Sequence, residues 1–462
     1  MKNNRRNFLK MAGGVIGAGI APSFAPRAIS TDTNPDVRRR KNKQHFNMCG
    51  YAAPKLEIVR IGIIGIGGRG LAAVNRLSKM EGATIVALGD LRPERLDEAM
   101  KKLEGSGHNP ARYSGHKDEW KKLCERDDID LIYITTQWDL HAPMAVYAME
   151  QGKHAAVEVP AAKTIDECWQ LVETSEKTRK HCVILENVCY GQFELLTLNM
   201  ARRGLFGEII HCEGAYIHTL AKGLFNKNAR WDMWRLKENM ENNGNLYATH
   251  GLGPISQIMN LNRGDKMDYM VSMSSNDFTL GKLAKEFAAT DATYQPYVGK
   301  SFRGNMNTSI IRTNKGRTLM LQHDVSSPRV YSRLHLVSGT KGMAQEYPLP
   351  GKIALDGKIG HDKWLSKEDY EKVAKEYEPP LLKKMGALAK KDGGHGGMDF
   401  LIVWRLIECL RNGLPMDIDV YDAALWSSIG ELSALSIAKR SGSIDVPDFT
   451  RGAWKNNKPL EI

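Results

Sequence analysis

Residues 56–80 read LEIVRIGIIGIGGRGLAAVNRLSKM, and this stretch decides the fold of the first half of the chain. The β-branched run 58–64 predicts a buried strand. Leu71, Val74 and Leu77 follow the glycines and share one helical face, so a helix is predicted there. A strand that turns through glycines into a helix is typical of the first unit of a dinucleotide-binding domain.

The glycine turn fits the pattern G-x-G-x-x-G, in which each glycine has a physical role. Gly65 allows the tight turn, Gly67 lets the backbone approach a pyrophosphate, and Gly70 lets the helix pack closely on the strand. The phosphates then face the free N–H groups at the helix N-terminus. For the motif alone, a glycine turn in some other α/β unit is the alternative.

A second strand, TIVALGD, ends in Asp90, 20 residues after Gly70. A carboxylate at this position accepts hydrogen bonds from the ribose hydroxyls, which favours NAD over a cofactor with a 2′-phosphate. Arg92 is close enough in the sequence to keep NADP as a lesser alternative.

The alternation of strands and helices continues to residue 190. Strands are predicted at 130–137, 153–162 and 183–191, and helices at 141–152 and 164–178. This order predicts a doubly wound parallel sheet, a Rossmann domain, over residues 56–190. Ligands of such sheets lie at the carboxyl ends of the strands, which places 137–141, 158–159 and Asn187 around the nicotinamide half of the cofactor. For each of them singly, a structural cap or turn is the alternative.

After residue 191 the strict alternation breaks. Strands and hairpins are predicted at 207–220, 270–277, 308–327 and 333–348, and apolar-faced helices at 396–413 and 421–442. Residues 191–462 are therefore predicted to form an α+β substrate domain with an open, mostly antiparallel sheet. One exposed face of such a sheet makes a homo-oligomer possible.

The formal net charge of +12 does not indicate nucleic-acid binding. Ten Lys/Arg and two Asp fall within residues 1–45, which accounts for +8, so the remaining chain carries +4. A basic surface for phosphate backbones is not needed to explain this balance. Seven cysteines without metal-ligand spacing are best interpreted as buried free thiols, and no metal site is predicted.

Residues 1–29 resemble a twin-arginine export signal. Arg5-Arg6 precede Phe8-Leu9-Lys10, and a weakly apolar run leads to small residues near position 25. The run is too short and too rich in glycine to span a membrane. Export by the twin-arginine route to the periplasm is predicted, followed by a polar linker over 30–55. A disordered basic tail is the alternative.

Several stretches together resemble one family over nearly the whole chain. They are GIGGRG, QWDLHAPMAVYAM, EVPAA, ENVCYG, GAYIHTL, NGNLYATHGLGP and GGHGGMDF. The plan resembles the Gfo/Idh/MocA family, and within it the NAD-dependent α-N-acetylgalactosaminidases of glycoside hydrolase family 109. Ala248 stands where that family leads us to expect proline, and Thr219 where it leads us to expect an acid. Both departures leave Tyr247 and His250 in place and bear on the sugar preference.

The resemblance implies a glycosidase that acts on terminal α-linked N-acetylgalactosamine with a tightly bound, recycled NAD. The sugar is oxidised at C3, loses its C2 proton, eliminates the glycosidic oxygen, adds water at C1 and is reduced again. Such enzymes are exceptions to the scheme with two carboxylates. A sugar or cyclitol dehydrogenase with exchangeable NAD is the alternative, and a sugar-binding protein without catalysis is a third. Val159, where a dehydrogenase of this plan is expected to have lysine, counts against the dehydrogenase.

The resemblance also assigns residues. The implied cofactor contacts are Gly68, Arg69, Asp90, Trp138, Asp139, Leu140, His141, Glu158, Val159 and Asn187. The implied sugar contacts are Tyr216, Arg235, Tyr247, Ala248, Thr249, His250 and Tyr331. His250 is predicted as the principal acid/base because histidine needs little tuning near neutral pH, with Tyr247 as its partner. His395 and Asp399 lie at a glycine-rich helix start and are left out of the catalytic set.

Overall fold

The computed structural model describes residues 44–228, 231–357, 363–392 and 394–460. The predicted export signal and residues 30–43 of the predicted linker lie outside this part of the chain. Within these ranges, no helix is long and apolar enough to cross a membrane.

The strands are β1 (Val59–Ile64), β2 (Ala83–Gly89), β3 (Ala111–Tyr113), β4 (Leu131–Ile134), β5 (His154–Val157), β6 (Cys182–Ile184), β7 (Ile209–Ile217), β8 (Met267–Ser274), β9 (Asn307–Thr313), β10 (Thr318–Asp324), β11 (Leu336–Gly339), β12 (Gly342–Gln345), β13 (Lys352–Leu355) and β14 (Ile444–Asp445). The helices are α1 (Gly68–Leu77), α2 (Pro93–Leu103), α3 (Glu119–Cys124), α4 (Trp138–Glu150), α5 (Ile165–Thr178), α6 (Gln192–Arg202), α7 (Ala221–Leu224), α8 (Trp234–Glu241), α9 (Thr249–Ile258), α10 (Leu280–Ala288), α11 (Lys367–Glu376), α12 (Pro380–Asp392), α13 (Met398–Asn412) and α14 (Val420–Ala438).

The first six strands form one parallel sheet in the order β3-β2-β1-β4-β5-β6. The order reverses between β1 and β4, which is the switch point where ligands bind in such sheets. The predicted Rossmann fold is confirmed. The strand predicted over 183–191 is wrong in its second half, because a 3-10 helix, Asn187–Tyr190, follows β6. The Glu186 carboxylate accepts a hydrogen bond from the N–H of Val188 and so caps that turn.

The second sheet has the order β13-β12-β11-β7-β10-β9-β8-β14. Only the pair β7–β10 is parallel among the pairs of this sheet, so the predicted open and mostly antiparallel sheet is confirmed. Helices α9 and α14 pack on one face. The opposite face carries Met273 and Ile310, which are 66% and 50% exposed.

Helices from the end of the chain cover the Rossmann sheet. Helix α14 packs against α5 and β6 as well as against β8, and α13 packs against β1 and the 3-10 helix. Most residues of α14 are buried, which matches its apolar composition. Helix α14 therefore contacts both sheets, next to the site described below.

The segment just before β1 also packs on these terminal helices. Gln44 Nε2 and the N–H of Met48 donate to the hydroxyl of Tyr421 at 2.8 and 3.2 Å, and Met48 is buried. The N–H of Leu56 donates to the carbonyl of Leu410. The part of the predicted linker from residue 44 onward therefore packs on the protein, because apolar side chains such as Met48 are buried against the terminal helices.

Candidate active site

A cleft of about 1200 Å³ runs along the carboxyl ends of β1, β2, β4 and β5 and reaches the second sheet at β7. The predicted residues that line it are Gly65, Gly67, Gly68, Arg69, Asp90, Trp138, Leu140, His141, Glu158, Val159, Asn187, Tyr216, Arg235, Tyr247 and His250. The fold therefore brings most predicted cofactor residues and most predicted sugar residues into one space.

The glycine turn leaves room on the side that faces the cleft. Gly65 has a φ of +89°, and a Cβ added to Gly70 would lie 2.0 Å from the carbonyl oxygen of Gly65. A Cβ at Gly67 or Gly68 would meet nothing within 4 Å. This open space lies at the start of α1, where free N–H groups favour anions. The turn therefore fits the diphosphate of a dinucleotide.

Asp90 lies at the end of β2, at the other side of this turn. Its carboxylate accepts hydrogen bonds from the N–H groups of Ile66 and Arg92 at 2.7 and 2.9 Å. The guanidinium of Arg92 is also directed at Asp90, with Nε 3.5 Å from Oδ1. A carboxylate at this position suits ribose hydroxyls and repels a 2′-phosphate, which supports the prediction of NAD.

A charged network forms one wall of the cleft beyond the turn. Arg69 pairs with Glu158 at 2.7 Å and with Asp399 at 3.1 Å, and Asn187 Nδ2 donates to Asp399 at 2.6 Å. His395 Nδ1 lies 2.9 Å from the same carboxylate. Burial alone would raise the pKa of Asp399, but the His395 hydrogen bond and the Arg69 charge hold that pKa well below its usual range. Asp399 thus joins three residues that line the cleft.

His250, at the start of α9, forms a buried pair with Glu186. Its Nδ1 lies 2.7 and 2.9 Å from the two carboxylate oxygens, and the side chains are 14% and 0% exposed. With Nδ1 held in this way, Nε2 is the ring nitrogen that remains for proton transfer. A carboxylate behind a histidine fixes its tautomer and stabilises the imidazolium that forms.

Tyr247 and Tyr216 complete the surroundings of His250. The Tyr247 ring lies 4.8 Å from the His250 ring, and the Tyr216 ring lies 4.6 Å from that of Tyr247. Burial raises the pKa of Tyr247, and the nearby positive charge of Arg235 offsets only part of this effect. Tyr247 therefore keeps its proton at neutral pH and is a hydrogen-bond donor.

Arg235 lies against three aromatic rings at the far end of the cleft. Its guanidinium is 5.1, 5.3 and 5.2 Å from the ring centres of Trp138, Trp234 and Tyr247. Helix α8 carries Arg235 and buries Leu236 in a small separate apolar cluster. A cation held against aromatic faces is suited to bind polar groups of a sugar.

Val159 lies just after the end of β5, beside Glu158. It is 3% exposed and lines the cleft. A valine at this point cannot transfer a proton. Any proton transfer in this part of the cleft must therefore involve other side chains. The His250–Glu186 pair is the best suited of these to act as an acid/base.

Five predicted site residues lie outside the lining of the cleft. Gly70 packs against Gly65, Asp139 is exposed, and Ala248 and Thr249 line a neighbouring cavity of about 30 Å³. The Tyr331 hydroxyl accepts a hydrogen bond from Arg333. The ring of Tyr331 lies edge-on to that of Tyr216, with 6.4 Å between the ring centres. Their predicted contacts with cofactor or sugar stay predictions.

Glu186 and Asp399 are among the residues of this site that were not assigned from the sequence. Both lie in the stretches ENVCYG and GGHGGMDF that carry the family resemblance. Their roles follow from contacts with residues 64 and 330 positions away, which no local pattern contains. Within the described ranges, no three His, Cys, Asp or Glu side chains are grouped as a metal site requires.

The chain matches two family profiles. Residues 59–186 match the oxidoreductase family with an NAD-binding Rossmann fold, and residues 190–456 match the C-terminal domain of glycosyl hydrolase 109. It is 47% identical to a glycosyl hydrolase family 109 protein of Shewanella pealeana, over 100% of this chain and 99% of that protein. It is 44% identical to an α-N-acetylgalactosaminidase of Shewanella oneidensis, over 99% and 98%.

Solved structures show the same fold at low sequence identity. An NAD-binding oxidoreductase from Klebsiella pneumoniae superposes with a TM-score of 0.66 at 16% identity, over 85% of this chain and all of that chain. A levoglucosan dehydrogenase in complex with NADH and levoglucosan gives 0.62 at 18% identity, over 84% and 100%. At these identities the similarity extends to the fold alone.

Proposed function

The chain belongs to glycosyl hydrolase family 109, and we propose that it removes terminal α-linked N-acetylgalactosamine from glycans with a bound NAD that each turnover restores. One observation carries the proposal. A histidine–carboxylate pair and the guanidinium of Arg235 face the same cleft as an open glycine turn, while Val159 stands where a dehydrogenase of this plan is expected to have lysine.

The residues that would hold NAD are Gly67 and Gly68 at the diphosphate, Asp90 at the ribose, and Glu158 and Asn187 near the nicotinamide. When bound, NAD supplies the reversible oxidation of a sugar carbon, and that oxidation makes the neighbouring C–H acidic. The remaining steps break the glycosidic C–O bond and add water in its place, so that water supplies the hydroxyl gained by the sugar and the proton gained by the leaving oxygen. This chain's own side chains perform the proton transfers and the binding that these steps need.

His250 is the base in this proposal. Nε2 removes a proton from the sugar, Nδ1 remains bonded to Glu186, and the carboxylate stabilises the resulting imidazolium. The same nitrogen returns a proton later in the turnover, since the overall reaction is a hydrolysis. The removal of the pair from solvent strengthens the attraction between imidazolium and carboxylate.

Tyr247 is the donor that assists His250. Because burial raises the pKa of its hydroxyl, Tyr247 is protonated at neutral pH and donates a hydrogen bond to a sugar oxygen. Arg235 binds other oxygens of the sugar, and Tyr216 offers an aromatic face to the ring. In this proposal, the residues that bind the sugar and those that transfer protons lie together at one end of the cleft.

The decisive experiment measures the phenol that a glycosidase would release and the NADH that a dehydrogenase would form. The purified full chain is incubated with an aryl α-N-acetylgalactosaminide, and released phenol and NADH are followed together. We expect phenol without net NADH. Stoichiometric NADH formation with free sugars and added NAD, without phenol release, would favour the dehydrogenase instead. Binding of the glycoside without either product would favour a sugar-binding protein.

Export by the twin-arginine route to the periplasm is part of the proposal and concerns residues 1–29. That route carries folded proteins, so an enzyme that already holds its cofactor is a suitable cargo. A fusion of residues 1–45 to a reporter tests it: we expect periplasmic activity that Arg5→Lys with Arg6→Lys abolishes. Unchanged export of the double variant would contradict the route.

A homo-oligomer through the open sheet face is also proposed. In the sheet register, Ile310 lies beside Val271 and Met320, and the Ile310 side chain is 50% exposed within the described chain. Light scattering of the wild type and of Ile310→Asp tests it. We expect a mass above that of one chain, which the substitution lowers, and a monomeric wild type would contradict it.

A further inference from the structure

The loop before α13 has an unusual backbone. Gly394, His395, Gly396 and Gly397 all have positive φ, at 69°, 49°, 70° and 99°. His395 is the one residue among these four for which the left-handed region is unfavourable. Backbone strain of this kind is kept at positions where function needs a side chain in one place.

Two glycines of this loop, Gly394 and Gly397, lie close to neighbouring elements. A Cβ at Gly394 would lie 2.8 Å from Nη2 of Arg76 on α1, and a Cβ at Gly397 would lie 3.0 Å from the Ala389 backbone on α12. The loop is therefore pressed between the helix that starts at the glycine turn and a helix from the end of the chain.

Asp399 fastens this loop to the glycine turn. Its Oδ2 receives hydrogen bonds from Arg69 at 3.1 Å and Arg76 at 3.5 Å, and His395 Nδ1 lies 2.9 Å from the same oxygen. The carboxylate is 5% exposed. Asp399, more than 320 positions downstream of Arg69 and Arg76, thus bonds both these residues of α1 and His395.

His395 lies at the cofactor half of the cleft, because Asp399 links it to Arg69 of the glycine turn. Its side chain is 61% exposed and lines the cleft together with Gly67 and Gly68. Nδ1 is directed at Asp399, so Nε2 is left for a ligand. Arg69 is oriented away from this role in part, because its guanidinium also pairs with Glu158 and Asp399.

We propose that the loop 394–397 is a clasp that retains the dinucleotide, with His395 in its imidazolium form, bonded through Nδ1–H to Asp399 and donating a second hydrogen bond from Nε2 to a diphosphate oxygen. Asp399 holds the imidazole in this orientation and is the positioning residue. The inference rests on the proposed function, in which NAD occupies the cleft and is not exchanged between turnovers. It adds a second contact to the diphosphate, opposite the backbone of the glycine turn.

The test measures cofactor release and does not need the glycosidase reaction. The full chain is loaded with NADH, excess NAD is added, and the loss of bound NADH fluorescence gives the dissociation rate. His395→Asn removes the imidazole while asparagine tolerates the left-handed backbone. We expect release about tenfold faster, the effect of losing one charge-assisted hydrogen bond.

His116→Asn is the matched control. His116 lines the same cleft, and its side chain is 65% exposed, close to that of His395. Release from this variant should stay within about twofold of the wild type. Equal acceleration in both variants would overturn the clasp in favour of a general effect of charge. The melting temperatures without cofactor should agree, which shows that the fold is intact.

The possible failures are distinct. A wild type that does not bind NADH contradicts the proposed function and the clasp together. Bound NADH that His395→Asn releases at the wild-type rate contradicts the clasp alone and leaves the glycosidase proposal intact. Rapid release from His395→Asn, with normal release from the His116 variant, supports the clasp whichever glycoside the enzyme cleaves.

Discussion

The cleft contains two histidine–carboxylate pairs that differ in burial and in position. His250 and Glu186 are 14% and 0% exposed and lie at the sugar end, whereas His395 is 61% exposed above a buried Asp399 at the cofactor end. The same two functional groups thus stand in two environments. A base that works on carbon needs a desolvated, oriented imidazole, and a phosphate ligand needs an accessible one.

The largest effect is expected from His250→Ala, which removes the base at the buried pair. Turnover of an aryl α-N-acetylgalactosaminide should fall by about 10² to 10⁴-fold, the usual contribution of a general acid/base. Retention of NADH should stay within about twofold, because His250 lies at the sugar end. Normal turnover of the variant would show that His250 is not the base, and would contradict the different roles assigned to the two histidine–carboxylate pairs.

Glu186→Gln should have the next largest effect. The amide can still occupy the space behind His250 but cannot stabilise an imidazolium, so kcat should fall by about 100-fold while KM changes little. Glu213→Gln is the matched control, since Glu213 lies 3.5 Å from His211 in another histidine–glutamate pair on β7, outside the cleft lining. Equal losses in both variants would argue against a specific role for Glu186.

Asp399→Asn tests the exposed pair through stability. The pKa of Asp399 in the folded protein is held well below its usual range, so the carboxylate stabilises the fold above the unfolded pKa of about 3.9. This stabilisation is lost as pH falls through that value toward the folded pKa. We expect a loss of about 3 kcal/mol in the variant at pH 7. Urea unfolding should show the difference shrinking below about pH 4, and a difference that is constant with pH would contradict the assignment.

The smallest effect is expected from Ala248→Pro, in the loop that carries Tyr247 and His250. Ala248 has a φ of −64°, which proline adopts without strain. The substitution should stabilise the protein by about 0.4 to 1 kcal/mol through the unfolded chain. Melting curves measure it, and a lower melting temperature would show that this loop requires the freedom of alanine. His395, at a φ of 49°, offers no such position.

The cofactor half of the site could be predicted because its residues are close in sequence. The turn 65–70, the strands around it and Asp90 form one local unit whose geometry follows from glycine, β-branched and apolar spacing. The glycosidase interpretation came from the family resemblance rather than from spacing. The strand predicted through 183–191 was wrong in its second half, because the Glu186 side chain caps the backbone and a 3-10 helix replaces the strand.

The sequence alone determined the order of the two folds, the glycine turn and the presence of Tyr247 and His250, because each depends on residues near one another in the chain. Which carboxylate pairs with which histidine follows from the tertiary structure alone. Glu186 reaches His250 because α9 packs against the 3-10 helix after β6, and Asp399 reaches Arg69 because α13 packs against β1. Contacts between distant segments are fixed by packing of the whole molecule, so no local pattern contains them.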